Sequence, residues 1–115
     1  WRKMLGGAMR QVGLIAAAGM HALENHIDRL AIDHENARLL AEGLATVEGV
    51  SVDAQNTNMV FVTVPEGSDN LEERLAKHGI NTRWAGNHSR MVLHLGIDKE
   101  DIATVVTAVN LELNS

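Results

Sequence analysis

Between Val12 and Leu23 the run VGLIAAAGMHAL carries one strongly polar side chain, His21, so a helix built here has no wet side. A helix that is apolar all round is a buried helix. A bilayer core needs roughly 20 consecutive apolar residues, whereas this run stops at Glu24 and follows Arg10 and Gln11, so length argues against a membrane span. A secretory signal is not expected either. The chain opens Trp1-Arg2-Lys3 without a Met and without a convincing cleavage site, so Trp1 is expected not to be the first residue of the gene product. Gly13 with Ala17, and Ala16 with Met20, lie four apart, and small residues let a neighbouring backbone approach. A subunit interface or a missing domain is the expected cover, with a central helix of the same domain as the alternative.

Further along, the rhythm becomes amphipathic. Ile27, Leu30, Ala31, His34, Ala37, Ala41 and Leu44 recur at helical spacing while Asp28, Asp33, Glu35 and Glu42 take the other side, predicting a helix from about His26 to Val47 that Glu48-Gly49 ends. Ser51 to Ala54 is a short strand candidate, and Asn58 to Val64 a stronger one, β-branched and apolar on both faces. Pro65-Glu66-Gly67 makes a turn. Asp69 with Glu72 three residues on predicts a capping arrangement for a short helix through Leu71 and Leu75 that closes at Gly79. Ile80 to Trp84 and Arg90 to Leu95 predict two strands joined by Ala85-Gly-Asn-His88. A last helix starts at Asp98, with Ile102, Val105, Val106, Val109 and Leu113 on one face. This order predicts an α+β fold: a small, mostly antiparallel sheet covered by helices on one side, preceded by the long buried helix. The expected division is 1–25 for that helix and 26–115 for the small domain.

Composition narrows the class. In 115 residues, 45% hydrophobic content with only Trp1, Phe61 and Trp84 as aromatics implies one aliphatic core. Net charge is −5 and the ten Lys and Arg are scattered without a basic run, so nucleic acid is not an expected partner. The absence of cysteine rules out disulfides and thiolate zinc sites and fits a cytoplasmic location.

Candidate chemistry is sparse. Gly6-Gly7 precedes a helix without a phosphate-loop motif, yet the two glycines could present helix N-terminal amides to an anion, with Lys3 and Arg10 adding positive charge. The plainer readings are a solvated Lys3 and an ion-paired Arg10. The six histidines show no metal-ligand spacing, since His21 and His26 are five apart, and His34 on the apolar stripe reads as a hydrogen-bonded core residue. On a strand from Ser89 to Leu95, Arg90, Val92 and His94 share one face and Met91, Leu93 and Leu95 the other. Arg90 is therefore a candidate for bidentate recognition of a carboxylate; spacing alone favours a solvent-facing arginine with His94 stacked on the sheet.

The opening block WRKMLGGAMRQVGLIAAAG resembles the stretch following the cofactor lysine in the low-specificity L-threonine aldolases, pyridoxal 5'-phosphate enzymes of the aspartate aminotransferase fold (fold type I). The similarity continues through DRLAIDHENAR (Asp28 to Arg38), QNTNMV (Gln55 to Val60) and RMVLHL (Arg90 to Leu95) to the final helix. Ala8 stands where the family usually has a third glycine, and the loop Ala85 to His88 follows no family pattern. The resemblance implies the C-terminal part of an enzyme that cleaves threonine and allo-threonine to glycine and acetaldehyde, with a homo-oligomeric assembly and a missing N-terminal cofactor domain as partners of this segment. It implies further that Lys3 and Arg10 lie near the cofactor phosphate, reaching a neighbouring subunit's site, that Arg90 holds the substrate carboxylate, and that His94 is structural support. The Schiff-base lysine and the aspartate paired with the ring nitrogen lie upstream in the family, so this chain alone is expected to be inactive and not to bind the cofactor stably. A free-standing assembly or binding module, and the small domain of another fold-type I enzyme such as an aminotransferase or β-eliminating lyase, are the alternatives.

Overall fold

The computed structural model describes Trp1–Asn114. The chain divides into two compact units, Trp1–Leu30 and a second from Ala31 onward. In the first unit the opening residues turn back on themselves, with the Leu5 N–H donating to the Trp1 carbonyl at 3.0 Å and the Gly7 N–H to the Arg2 carbonyl at 2.7 Å. Gln11, in the left-handed conformation at φ 52°, introduces α1 (Val12–Asn25). The helix closes where the His26 N–H bonds the Ala22 carbonyl. No residue of α1 is buried in this chain.

The second predicted helix is shorter than its pattern. A turn at 27–29 separates α1 from α2 (Leu30–Leu44), and past Leu44 the backbone tightens into three-residue turns, Thr46 bonding Gly43 and Val47 bonding Leu44. Val47 stays buried, which is why the apolar rhythm runs on beyond the helix. The buried face of α2 is Asp33, Asn36, Ala37, Leu40 and Leu44. The expected stripe was rotated from this: His34 is exposed and is not a core histidine, while Asp33, expected on the wet side, is buried. A stripe drawn through Ile27, Leu30 and His34 includes a residue outside the helix and is phased by it.

The sheet has strands β1 (Ser51–Asn56), β2 (Met59–Thr63), β3 (Trp84–Ala85) and β4 (His88–Val92) in the order β1-β2-β4-β3, every neighbouring pair antiparallel. The first two form a hairpin through Thr57, at φ 51°, an uncommon conformation for a β-branched residue. Asn58 holds that turn in place, its side-chain amide donating to the Leu93 carbonyl at 2.7 Å and its carbonyl accepting the Leu93 N–H at 2.8 Å. The predicted strand at Ile80 to Trp84 shrinks to its end, because Ile80 to Arg83 crosses into the sheet as loop; Arg90 to Leu95 likewise stops at Val92.

Two further helices complete the unit, α3 (Leu71–Ala76) and α4 (Lys99–Asn114). The capping pair expected at Asp69 and Glu72 does not form: α3 starts from Asn70 without a side-chain cap, and the Glu72 carboxylate accepts the Trp84 N–H at 3.2 Å instead. Gly79, at φ 77°, ends α3 as expected, and Ile80 N–H then returns to the Leu75 carbonyl at 3.1 Å. Val60, Val62 and Met91 from one face of the sheet pack with Leu40 and Leu44 of α2, Leu71 and Leu75 of α3, and Ile102 and Val109 of α4. That is an α+β unit with helices on one side only. Truncating a fully buried leucine such as Leu44 or Leu75 to alanine costs about 2–5 kcal/mol.

Candidate functional site

Because the helices use one face of the sheet, the other is left open, and strand register decides what it carries. Phe61 stands opposite Arg90, Thr63 opposite His88 and Met59 opposite Val92. A bulge between Val52 and Ala54 shifts β1 so that Ala54 faces Phe61. A cleft of about 600 Å³ on this face is lined by Asp53, Asn56, Phe61, His88 and Arg90 among others.

Arg90 is exposed, and none of the ion pairs among the described residues involves it. A free guanidinium beside the half-buried Phe61 ring is suited to a planar carboxylate. Met91 and Leu93 point into the core as the strand pattern predicts, but Leu95 is 64% exposed and His94 lies past the end of β4. The His94 Nδ1 accepts the Gly96 N–H at 3.1 Å, a local turn contact. The histidine that shares the open face with Arg90 is His88.

His88 belongs to a polar chain that spacing alone did not show. Thr63 Oγ1 donates to Asp53 Oδ2 at 2.6 Å and lies 2.7 Å from His88 Nδ1, while Ser51 Oγ donates to Asp53 Oδ1 at 3.1 Å. Its members sit on three strands, and only pairing register brings them together. The alternation of polar residues in β1 was the available signal, and the bulge obscures it.

Lys3 and Arg10 lie in the first unit, both exposed and absent from the ion pairs among the described residues. The helix-terminus expectation for Gly6-Gly7 needs correction. The helix begins at Val12, and the Gly6 and Gly7 amides are spent on the Lys3 and Arg2 carbonyls. A Cβ at Gly7 would lie 3.0 Å from the Arg2 carbonyl oxygen, so the turn leaves little room for a side chain there. His21 and His26 meet edge to face, ring centres 5.3 Å apart. Among the described residues no group of three His, Asp or Glu is arranged to hold a metal ion, and no helix is long and apolar enough to cross a membrane.

The chain is 44% identical over 106 residues to a low specificity L-threonine aldolase of Escherichia coli O157:H7, covering 91% of this chain and 31% of that protein. It is 39% identical over 108 residues to low-specificity L-threonine aldolase 1 of Arabidopsis thaliana, covering 88% of this chain and 30% of that one. The chain thus spans about a third of the length of these curated relatives. Among solved structures, an aminotransferase, TlmJ from Streptoalloteichus hindustanus, superposes with a TM-score of 0.63 at 17% identity over 86% of this chain and 35% of that one, a likeness of fold. The family model described as beta-eliminating lyase matches residues 1–66, more than half of the sequence, and the chain belongs to that family.

Proposed function

We propose that this chain is the C-terminal part of a threonine aldolase-like enzyme that uses pyridoxal 5'-phosphate to cleave threonine or allo-threonine to glycine and acetaldehyde. The observation that carries the reading is the similarity to two threonine aldolases along nearly the whole chain, together with an unpaired Arg90 on the open sheet face. In the complete enzyme the cofactor supplies the electron sink for carbon–carbon bond cleavage. The residues here fit a supporting part. Exposed, unpaired Lys3 and Arg10 are suited to the phosphate dianion, and Arg90 orients the substrate through its carboxylate. Chemistry at the α-carbon needs a cofactor lysine and a ring-nitrogen partner, which this reading places in the remaining two thirds of the enzyme.

The same reading assigns the cover of α1. Leu14, Ile15 and Leu23 are 75%, 60% and 69% exposed on a helix with no buried residue, and an apolar face of this extent marks an interaction surface. A cofactor domain and a partner subunit would cover it in a homo-oligomer, placed in the cytoplasm.

The test has two parts. The polypeptide that contains this chain together with its cofactor domain should convert L-threonine to acetaldehyde and glycine; ammonia and 2-oxobutyrate instead would favour β-elimination, the chemistry named by the family model. The 115-residue chain, mixed with one equivalent of pyridoxal phosphate and reduced with borohydride, should show no stoichiometric adduct by intact mass. A single defined adduct on Lys3, Lys77 or Lys99 would overturn the placement of the catalytic lysine elsewhere.

A further inference from the structure

A second arginine stands beside Arg90. Trp84 pairs with Ser89 at the edge of the sheet, and Ser89 Oγ donates to the Arg83 carbonyl at 2.8 Å, which holds the chain ahead of β3 against β4. The next rung, just beyond the end of β3, therefore sets Arg83 opposite Arg90. Residues opposite each other on antiparallel strands share a face, with Cβ atoms about 5 Å apart, and because Ser89 is buried, alternation turns this rung to the open side. Both arginines are exposed, and both line one open pocket of about 540 Å³ together with Asn81, Thr82 and Asp101.

Two guanidiniums on one rung repel each other. None of the ion pairs among the described residues includes Arg83 or Arg90. The carboxylates at hand have other partners: Asp101 Oδ2 accepts the Asp98 N–H at 3.0 Å, and Glu72, which shares a groove with Arg83, accepts the Trp84 N–H at 3.2 Å. Glu73, in that same groove, belongs to none of those ion pairs either. A ligand that brings negative charge to both guanidiniums relieves the repulsion. One α-carboxylate fills the fork of Arg90, which leaves Arg83 for a second anionic group. The two carboxyl carbons of a four-carbon diacid are three bonds apart, a short reach that suits neighbouring side chains of one rung.

We propose that Arg83 is a specificity-determining residue that takes a second carboxylate, carried on the β-carbon of the amino acid whose α-carboxylate Arg90 holds. The preferred substrates are then 3-hydroxy dicarboxylic amino acids, with threonine a poorer one. The inference rests on the role given to Arg90 above and differs from the threonine reading in the group borne by the β-carbon. In the cleavage the Cα–Cβ bond breaks, its electron pair stays with Cα, and Cα takes up a proton as glycine forms. The β-hydroxyl loses its proton and becomes the carbonyl of an aldehyde that keeps the second carboxylate, which is glyoxylate.

The polypeptide that contains this chain together with its cofactor domain, loaded with pyridoxal phosphate, is assayed with L-threonine, L-allo-threonine and both diastereomers of L-3-hydroxyaspartate, and the released acetaldehyde, glyoxylate and glycine are quantified. One 3-hydroxyaspartate should exceed the better threonine isomer in kcat/KM by about ten-fold or more, the worth of a charge-assisted hydrogen bond. L-Aspartate, with both carboxylates and no hydroxyl, should likewise inhibit more strongly than L-2-aminobutyrate. Arg83→Gln should remove both preferences, Arg83→Lys should keep part of them, and Arg83→Glu should reverse them. The ratio of kcat/KM values within one variant does not depend on how much of it has folded, and the ratios of the parent enzyme decide the matter if a variant fails to fold. Threonine cleavage without a preference for 3-hydroxyaspartate, or a preference that Arg83→Gln leaves intact, overturns the role of Arg83 and leaves the aldolase reading standing. Cleavage of neither kind of amino acid overturns both.

Discussion

The side-chain amide of Asn36, 2% exposed on the inner face of α2, donates to the backbone carbonyl of Ile97 at 2.9 Å, joining α2 to the segment that leads into α4. A polar residue inside an aliphatic core is tolerated only when it is bonded, and losing the donor strands a carbonyl. Asn36→Ala should destabilise the chain by about 1–3 kcal/mol. Asn36→Asp should cost more, since it replaces the donor with a charge facing a carbonyl oxygen. Urea unfolding with an unchanged m-value would check both.

At Gly43, α2 lies directly against Val106 of α4. A Cβ at this position would lie 2.6 Å from Val106 Cγ2. Alanine is the better helix former by about 1 kcal/mol, but overpacking costs about 1–3 kcal/mol, so Gly43→Ala should be net destabilising. In a Val106→Ala background the clash is gone, and the same substitution should become stabilising. A double-mutant cycle in thermal unfolding reads the change of sign.

At the start of α4, Asp98 and Asp101 cap each other. The Asp101 N–H donates to Asp98 Oδ1 and the Asp98 N–H to Asp101 Oδ2, both at 3.0 Å. The Asp101 backbone N–H is the main cause that holds the Asp98 carboxyl below its ordinary 3.8. A depressed value in the folded state means stability that is present above 3.8 and lost as pH falls through the lower folded value. The parent chain should therefore melt higher than Asp98→Ala at neutral pH, and the gap should narrow on acidification below that point. Melting curves across the acid range provide the check.

The uncovered α1 should govern solution behaviour. With Leu14 and Ile15 exposed, the chain by itself should self-associate in a concentration-dependent way. Leu14→Lys with Ile15→Lys should shift sedimentation toward the monomer while leaving the melting temperature of the second unit nearly unchanged, since its core draws no residue from α1.

Periodicity and turn chemistry determined a good part of this protein. The existence of a strand within Asn58 to Val64, the apolar positions of α4 and the Gly79 helix stop were legible because each depends on neighbours in sequence, and the block from Trp1 to Gly19 carried the family resemblance; which face of that strand is buried was not. The all-round apolar character of α1 was equally plain in the run from Val12 to Leu23, although no rhythm within the chain says what covers it.

Tertiary structure decided the rest. Asp33 and Asn36 are buried and His34 exposed because the phase of α2 is set by what it packs on, with Ile97 supplying the partner for an amide that hydropathy alone would place in water. Glu72 leaves the cap it was expected to complete because the Trp84 amide competes for it across the fold. Arg90 could be placed on a strand face from spacing, yet its companion there is His88 rather than His94. Where β4 ends, which residue of β1 bulges, and which strand pairs with which are free-energy balances summed over distant contacts, and no local pattern encodes them.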